Sequence, residues 1–195
     1  MATPSTVTLV TLAERPQRAD ARRNYDKLIN AARQAFTDLG SSASLEEIAR
    51  RADVGIGTLY RHFPTRHALL QAVYVEEVEA LAASADDFAD LPPWDALVAW
   101  LRRFVAYALA KRALSDELLA TIGMESDVFR KCHDAIWQAG EPLLRRAQED
   151  SSVRADTDFA DVVRMVSGIS MIKSATPDQL DRILLMALDG LRYQA

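Results

Sequence analysis

The stretch Ser44–Leu70, SLEEIARRADVGIGTLYRHFPTRHALL, reads as two short helices joined by a tight turn, followed by the start of a third. Ser44 and Glu47 have the S-x-x-E spacing of a capping box, which satisfies two backbone N–H groups at a helix start. Leu45, Ile48, Ala49 and Ala52 follow at helical spacing and give the first segment one apolar face. Asp53-Val54-Gly55 forms the turn, because Asp tolerates a left-handed backbone and Gly55 can cap the next segment. Ile56 to about His62 is a very short helix, with Ile56, Leu59 and Phe63 along its apolar side and Pro64 as its stop. Thr65 is placed to cap a further helix carrying Leu69, Leu70, Val73, Val78 and Leu81.

Upstream, residues 1–20 show no helical periodicity and read as a loose arm. Arg15, Arg18, Arg22 and Arg23 cluster where this arm meets a helix. That helix carries Tyr25, Leu28, Ile29, Ala32, Phe36 and Leu39 at spacings of three and four, and Gly40 ends it. Downstream, Ala85–Pro93 (ADDFADLPP) is a break. A helix beginning near Trp94 buries Leu97, Leu101, Phe104, Val105 and Ala108, and a separate short helix is expected over Asp116–Ile122. A longer helix after Ser126 meets Gly140-Glu141-Pro142, which should kink or interrupt it. Phe159, Val162, Val163, Val166, Ile169 and Ile172 mark another helix. The last begins at Thr176-Pro177-Asp178-Gln179, a capping box with Pro in the first turn, and carries apolar positions from Leu180 to Leu191. With no internal repeat and no alternating strand pattern, the expected fold is all-α. It comprises an N-terminal three-helix helix-turn-helix domain (residues 21–67) and a C-terminal helical ligand-binding and dimerisation domain (residues 68–195).

Composition agrees. About half of the 195 residues are hydrophobic, enough for a sizeable core, and 7 Gly and 7 Pro leave helices largely unbroken. A single cysteine, Cys132, excludes an internal disulfide and suits a reducing cytosol. No apolar run approaches the length of a membrane span, and the start lacks the basic and apolar parts of a signal peptide, so a cytoplasmic location and no membrane partner are expected. The net charge of −5 is unevenly distributed: residues 1–70 carry +3 and residues 71–195 carry −8. A mildly basic N-terminal third can face phosphate while the acidic body stays away from it.

A short protruding helix fits the major groove of B-DNA and can reach base edges while its neighbour braces it across the backbone. Here the probe is Ile56-Gly57-Thr58-Leu59-Tyr60-Arg61-His62. Gly57 permits close approach, Thr58 offers a hydroxyl and a methyl group, and Arg61 suits guanine or phosphate. Tyr60 and His62 can donate to phosphate oxygens. Thr65 and Arg66 add a hydroxyl, free N–H groups and a positive charge at the next helix start. Ser44, Gly55, Arg22 and Arg23 complete the candidate DNA-binding set, and Arg50 or Arg51 can reach phosphate.

These residues resemble the DNA-binding signature of TetR-type transcriptional regulators. The likeness rests on Leu28-Ile29, Ala31-Ala32, Phe36 and Gly40, on Ile48-Ala49, on Gly57-Thr58-Leu59-Tyr60 with His62-Phe63, and on Leu69-Leu70. It covers about residues 22–75. The chain departs from the pattern with Asp53 in place of Gly, Gly55 in place of Ser, Arg66 in place of Lys and His67 in place of Glu. The resemblance implies a homodimer whose two probe helices read a near-palindromic double-stranded operator. It also implies a body that binds a small-molecule effector and releases the repressor from DNA, and a dimer interface made by the last two helices. Their apolar sets, Val162, Val166 and Ile169 with Leu180, Ile183, Leu184, Ala187, Leu188 and Leu191, can form half of a four-helix bundle or ordinary core.

An apolar or aromatic effector would be met by Trp100, Phe104, Tyr107, Met124, Phe129, His133, Trp137 and Met165, although such residues at helical spacing are more often plain core. Cys132 and His133, as neighbours on a helix, point about 100° apart and rarely share one ligand. No second His/Cys cluster has zinc spacing, and no paired carboxylates or nucleophile–base set is evident, so neither a cofactor nor an enzyme is expected. The competing reading keeps the DNA-binding scaffold as an architectural or cell-cycle protein without an effector.

Overall fold

The structure is a computed structural model that describes residues 15–122 and 127–192, and eight α-helices lie within them. They are α1 (Ala19–Leu39), α2 (Leu45–Arg51), α3 (Ile56–His62), α4 (Arg66–Ala83), α5 (Pro93–Ile122), α6 (Asp127–Glu149), α7 (Phe159–Ser170) and α8 (Pro177–Asp189). Among the described residues the only β-type pairing is an isolated bridge between Val153 and Arg192. The chain groups into two compact units. One holds residues 15–77 with 110–122 and 127–132; the other holds 78–109 and 133–192. No described helix is long and apolar enough to cross a membrane.

In the first unit, α1 buries Tyr25, Leu28, Ile29, Ala32 and Phe36, as its spacing requires. Gly40 stops it with φ at 55°, donating its N–H to the Phe36 carbonyl. Leu39, expected on the buried stripe, is 43% exposed at the end of the last turn. Ser44 Oγ accepts the Glu47 N–H at 3.1 Å, but only this half of the predicted capping box forms. The Glu47 carboxylate turns to Arg50 and Arg51 instead, 2.8 Å from each. Asp53 takes φ of 53°, closing the turn left-handed, and Gly55 caps α3. Seven residues are too few for a helix to persist alone. What holds α3 is Leu59 and Phe63, both buried, each contributing on the order of 1.5–3 kcal/mol. Thr65 Oγ1 accepts the Ala68 N–H at 3.0 Å and starts α4.

In the second unit, Trp100 is fully buried, donates to the Leu81 carbonyl at 3.2 Å and packs on Phe104 and Phe159. Gly140 makes this possible: a Cβ there would lie 2.5 Å from Trp100 Cη2. Asp158 caps α7 through the Ala160 N–H, and Thr176 with Gln179 makes the full capping box that starts α8.

Two expectations about helix breaks are corrected. No separate helix covers Asp116–Ile122, because α5 runs unbroken from Pro93 to Ile122. The segment after Pro93 holds neither Gly nor Pro and is rich in Ala and Leu, so nothing stops propagation. Nor do Gly140 and Pro142 interrupt α6, which is assigned as one helix from Asp127 to Glu149. Pro142 and Gln138 are both exposed, so water can take the carbonyl that proline leaves unpaired.

Candidate nucleic-acid interface

Leu59 points α3 into the core, so the opposite face is turned outward. Ile56 is 40% and Tyr60 45% exposed, with Gly57 and Arg61 beside them at positions that share that face. Ile56, expected on the apolar side with Leu59 and Phe63, therefore belongs to the outward set. Thr58 is half-buried. A Cβ at Gly57 or at Gly55 would meet no atom within 4 Å. Gly57 also has ordinary helical geometry, so neither packing nor backbone conformation requires a glycine there. Gly57 is the second residue of α3, in its first turn, where glycine keeps a backbone-entropy cost relative to alanine.

His62 closes the probe. Its ring lies 6.3 Å from that of Tyr25 and 6.1 Å from that of Phe63. Burial holds its imidazole below the ordinary value of 6.5, and the charge of Arg61 acts in the same direction. A neutral His62 can donate one N–H to phosphate.

Arg66 differs from its expected role. Its guanidinium hydrogen-bonds the Ala43 carbonyl and lies over the Phe36 ring at 5.1 Å, tying α4 to α1 and to the segment before α2. Ser44 and Thr65 are exposed, but their oxygens accept cap bonds, leaving the hydroxyl protons available. Arg50 and Arg51 share Glu47, and Arg51 also reaches Asp38 at 2.7 Å. The Arg50 guanidinium first, then that of Arg51, holds the Glu47 carboxyl down to about 2. Arg23 pairs with Asp20, whereas Arg22 is exposed with no ion-pair partner among the described residues.

Of the candidate pocket residues, Met124 lies outside the described residues. Phe129 packs on Tyr74 in the first unit. In the second unit a ladder of rings runs from His133 to Trp137, Phe159, Trp100, Phe104 and Tyr107. His133 is exposed and stacked on Trp137 at 3.9 Å, and Met165 is half-buried. No group of three His, Cys, Asp or Glu among the described residues could hold a metal ion.

The expected dimer positions are placed differently. Val162, Val166, Ile169, Leu180, Leu184 and Leu188 are buried within this chain, because the strongest apolar stripes fill its own core. Ile183, Ala187 and Leu191 are half-buried. On α8 and just after α7, the exposed large apolar residues are Met186 at 74%, Met171 at 62% and Ile172 at 36%. Beside them lies a cleft of about 400 Å³ lined by Ile172, Ser174, Ala175, Gln179, Arg182, Ile183 and Met186. Sequence reading singles out Ile172 and Ile183 as apolar positions and Gln179 as a cap; Arg182 and Met186 fall with Gln179 and Ile183 on a second stripe of α8, and Ser174 and Ala175 come from the segment before it.

Residues 28–73 match the model for bacterial regulatory proteins of the tetR family, and residues 92–193 match that for the SbtR-like transcriptional regulator C-terminal domain. The HTH-type transcriptional regulator UidR of Escherichia coli is 28% identical over 75% of this chain and 78% of its own length. The HTH-type transcriptional repressor KstR of Rhodococcus jostii is 26% identical over 85% and 78%. Among solved structures, the TetR transcriptional regulator SCO0520 of Streptomyces coelicolor is 41% identical with a TM-score of 0.75, covering 87% of this chain and 99% of the other. The TetR regulatory protein of Mycobacterium vanbaalenii is 34% identical with a TM-score of 0.72, covering 91% and 99%. With an outward-facing α3 braced by α2 and both halves of the chain matched, the protein belongs to the TetR family of DNA-binding helix-turn-helix transcriptional regulators.

Proposed function

We propose that the chain is a repressor which binds a near-palindromic operator as a homodimer and leaves it when a small molecule occupies the helical body. The observation that carries the DNA-reading assignment is Gly57, an exposed helical glycine that the protein's own packing does not need. Ile56, Tyr60 and Arg61 flank it as base or phosphate contacts, with Thr58, His62, Ser44, Thr65 and Gly55 at the edges. The name of the KstR relative supports repression.

The second copy meets the face of Met171, Ile172, Ile183 and Met186, which α7 and α8 leave uncovered. The aromatic ladder through Trp137, Trp100 and Phe104 favours an apolar or aromatic effector. Half-sites lie about 34–36 Å apart, so an effector that alters the spacing of the two α3 helices releases the dimer. Operator selection from random duplexes, followed by footprinting, tests this. Two protected half-sites one helical turn apart are expected; protection of a single half-site by a monomer counts against it.

A further inference from the structure

The four arginines at the chain's entry into α1 have different fates. Arg15 forks onto Glu76 of α4, Nε to Oε1 at 2.9 Å and Nη2 to Oε2 at 2.5 Å. Glu76 is mostly buried, its side chain 15% exposed. Arg23 is paired with Asp20 on its own helix. Arg18 and Arg22 are exposed and have no ion-pair partner among the described residues.

Their register matters. Arg18 is the N-cap of α1, and the Arg22 N–H bonds to its carbonyl at 2.9 Å. Arg18, Arg22 and Tyr25 are spaced four and three apart, so they fall along one stripe. Tyr25 is buried, with its ring 6.3 Å from His62 and 5.2 Å from Phe63, at the end of α3. The two uncommitted cations therefore continue outward from the end of the reading helix. A bidentate guanidinium–carboxylate fork fixes direction as well as distance. The fork at Arg15 thus sets the path by which the chain enters α1 beside α3.

We infer that Arg18 joins Arg22 as a phosphate ligand flanking α3, and that Arg15 is a positioning residue acting through Glu76 and not a DNA ligand. The inference rests on the reading of α3 as the DNA-facing helix. Arg23, spent on Asp20, makes no phosphate contact in this arrangement.

The test measures affinity of the full chain for a 30-base-pair duplex of arbitrary sequence against salt. Each phosphate ligand taken away lowers the slope of log K against log salt by about 0.9. Arg18→Gln is expected to lower affinity and slope, and Arg23→Gln to change neither. Glu76→Gln removes a negative charge, which by itself would favour DNA, yet it is expected to lower affinity as Arg15→Gln does. The charge-exchanged double variant Arg15→Glu/Glu76→Arg should restore both affinity and slope, a rescue that general loss of stability would not give. Arg33→Gln is the control, since it breaks the neighbouring pair with Glu77 between α1 and α4 without touching the chain's entry. An unchanged slope for Arg18→Gln overturns the ligand role. A lowered slope for Arg15→Gln alongside unchanged or raised affinity for Glu76→Gln overturns the positioning role, because Arg15 would then touch DNA itself. Tyr60→Ala and Arg61→Ala, measured on the selected operator beside Arg18→Gln, separate the two levels. If they weaken binding while Arg18→Gln does not, this inference alone fails; if they too are silent, the reading of α3 fails.

Discussion

The His62 imidazole sits edge-on to the Tyr25 ring, with centroids 6.3 Å apart and planes inclined by 72°, so the last residue of α3 is fixed against the first turns of α1. Because burial lowers the His62 pKa, the folded protein binds fewer protons there than the unfolded chain does. Its contribution to stability is complete above the ordinary value of 6.5 and declines as pH falls below it. Urea midpoints measured at pH 7.5 and 5.5 should differ less for His62→Gln than for the parent. An identical pH response in both proteins would show that His62 does not titrate in this way.

Gly57→Ala should stabilise the protein by up to about 1 kcal/mol, since the new methyl meets nothing and helix propensity improves. The same variant should bind operator more weakly, because the methyl stands on the face that approaches DNA. Thermal melts and gel shifts measure the two effects. A variant that gains stability and keeps full affinity would remove Gly57 from the interface.

Tyr60→Ala and Arg61→Ala remove exposed side chains, so stability should change by no more than about 0.5 kcal/mol. Where the side chain reads a base, operator affinity should fall by about 1–3 kcal/mol, roughly 5- to 150-fold. Unchanged affinity in both would contradict the assignment of α3.

Gly140→Ala drives a methyl group into Trp100 and Phe159. A destabilisation of about 1–3 kcal/mol is expected, together with a changed near-ultraviolet circular dichroism signal. A melting temperature equal to that of the parent would mean that the ring ladder yields without cost.

Met186→Glu places a charge on the uncovered α8 face without opening the core, as Met186 is 74% exposed. Sedimentation should show monomer where the parent is dimeric, with operator affinity reduced accordingly. A variant that remains dimeric would move the interface elsewhere.

The ends of helices were the most readable part of this chain. Gly40, Ser44, Thr65 and Thr176 each cap where the sequence indicates, because capping depends on neighbours within a few residues. Directions were harder. Ile56 and Leu59 are both apolar, and nothing local says which of them faces out on a seven-residue helix; the packing of α3 against α2 and against Tyr25 of α1 decides. Arg66 reads as a free cation until the fold brings Phe36 and the Ala43 carbonyl beneath it. The dimer positions show the same limit, for a strong apolar stripe on α8 serves equally well inside one chain or between two. Pro142 reads as a kink or a stop and does not end α6; the exposure that lets water reach the Gln138 carbonyl is set by the fold and not by the neighbouring sequence.

The stacking of His133 on Trp137 gives the helical body an optical reporter of its own. The chain has three tryptophans, and their surroundings differ: Trp100 is sealed in the core, Trp94 lies under the Arg192 guanidinium at 4.4 Å, and Trp137 carries an exposed imidazole flat against its indole. A compound that displaces His133 from the ring should therefore change the emission of Trp137 while leaving that of the sealed Trp100 unaltered. Effector candidates can be screened on the unlabelled protein in this way before any operator is known.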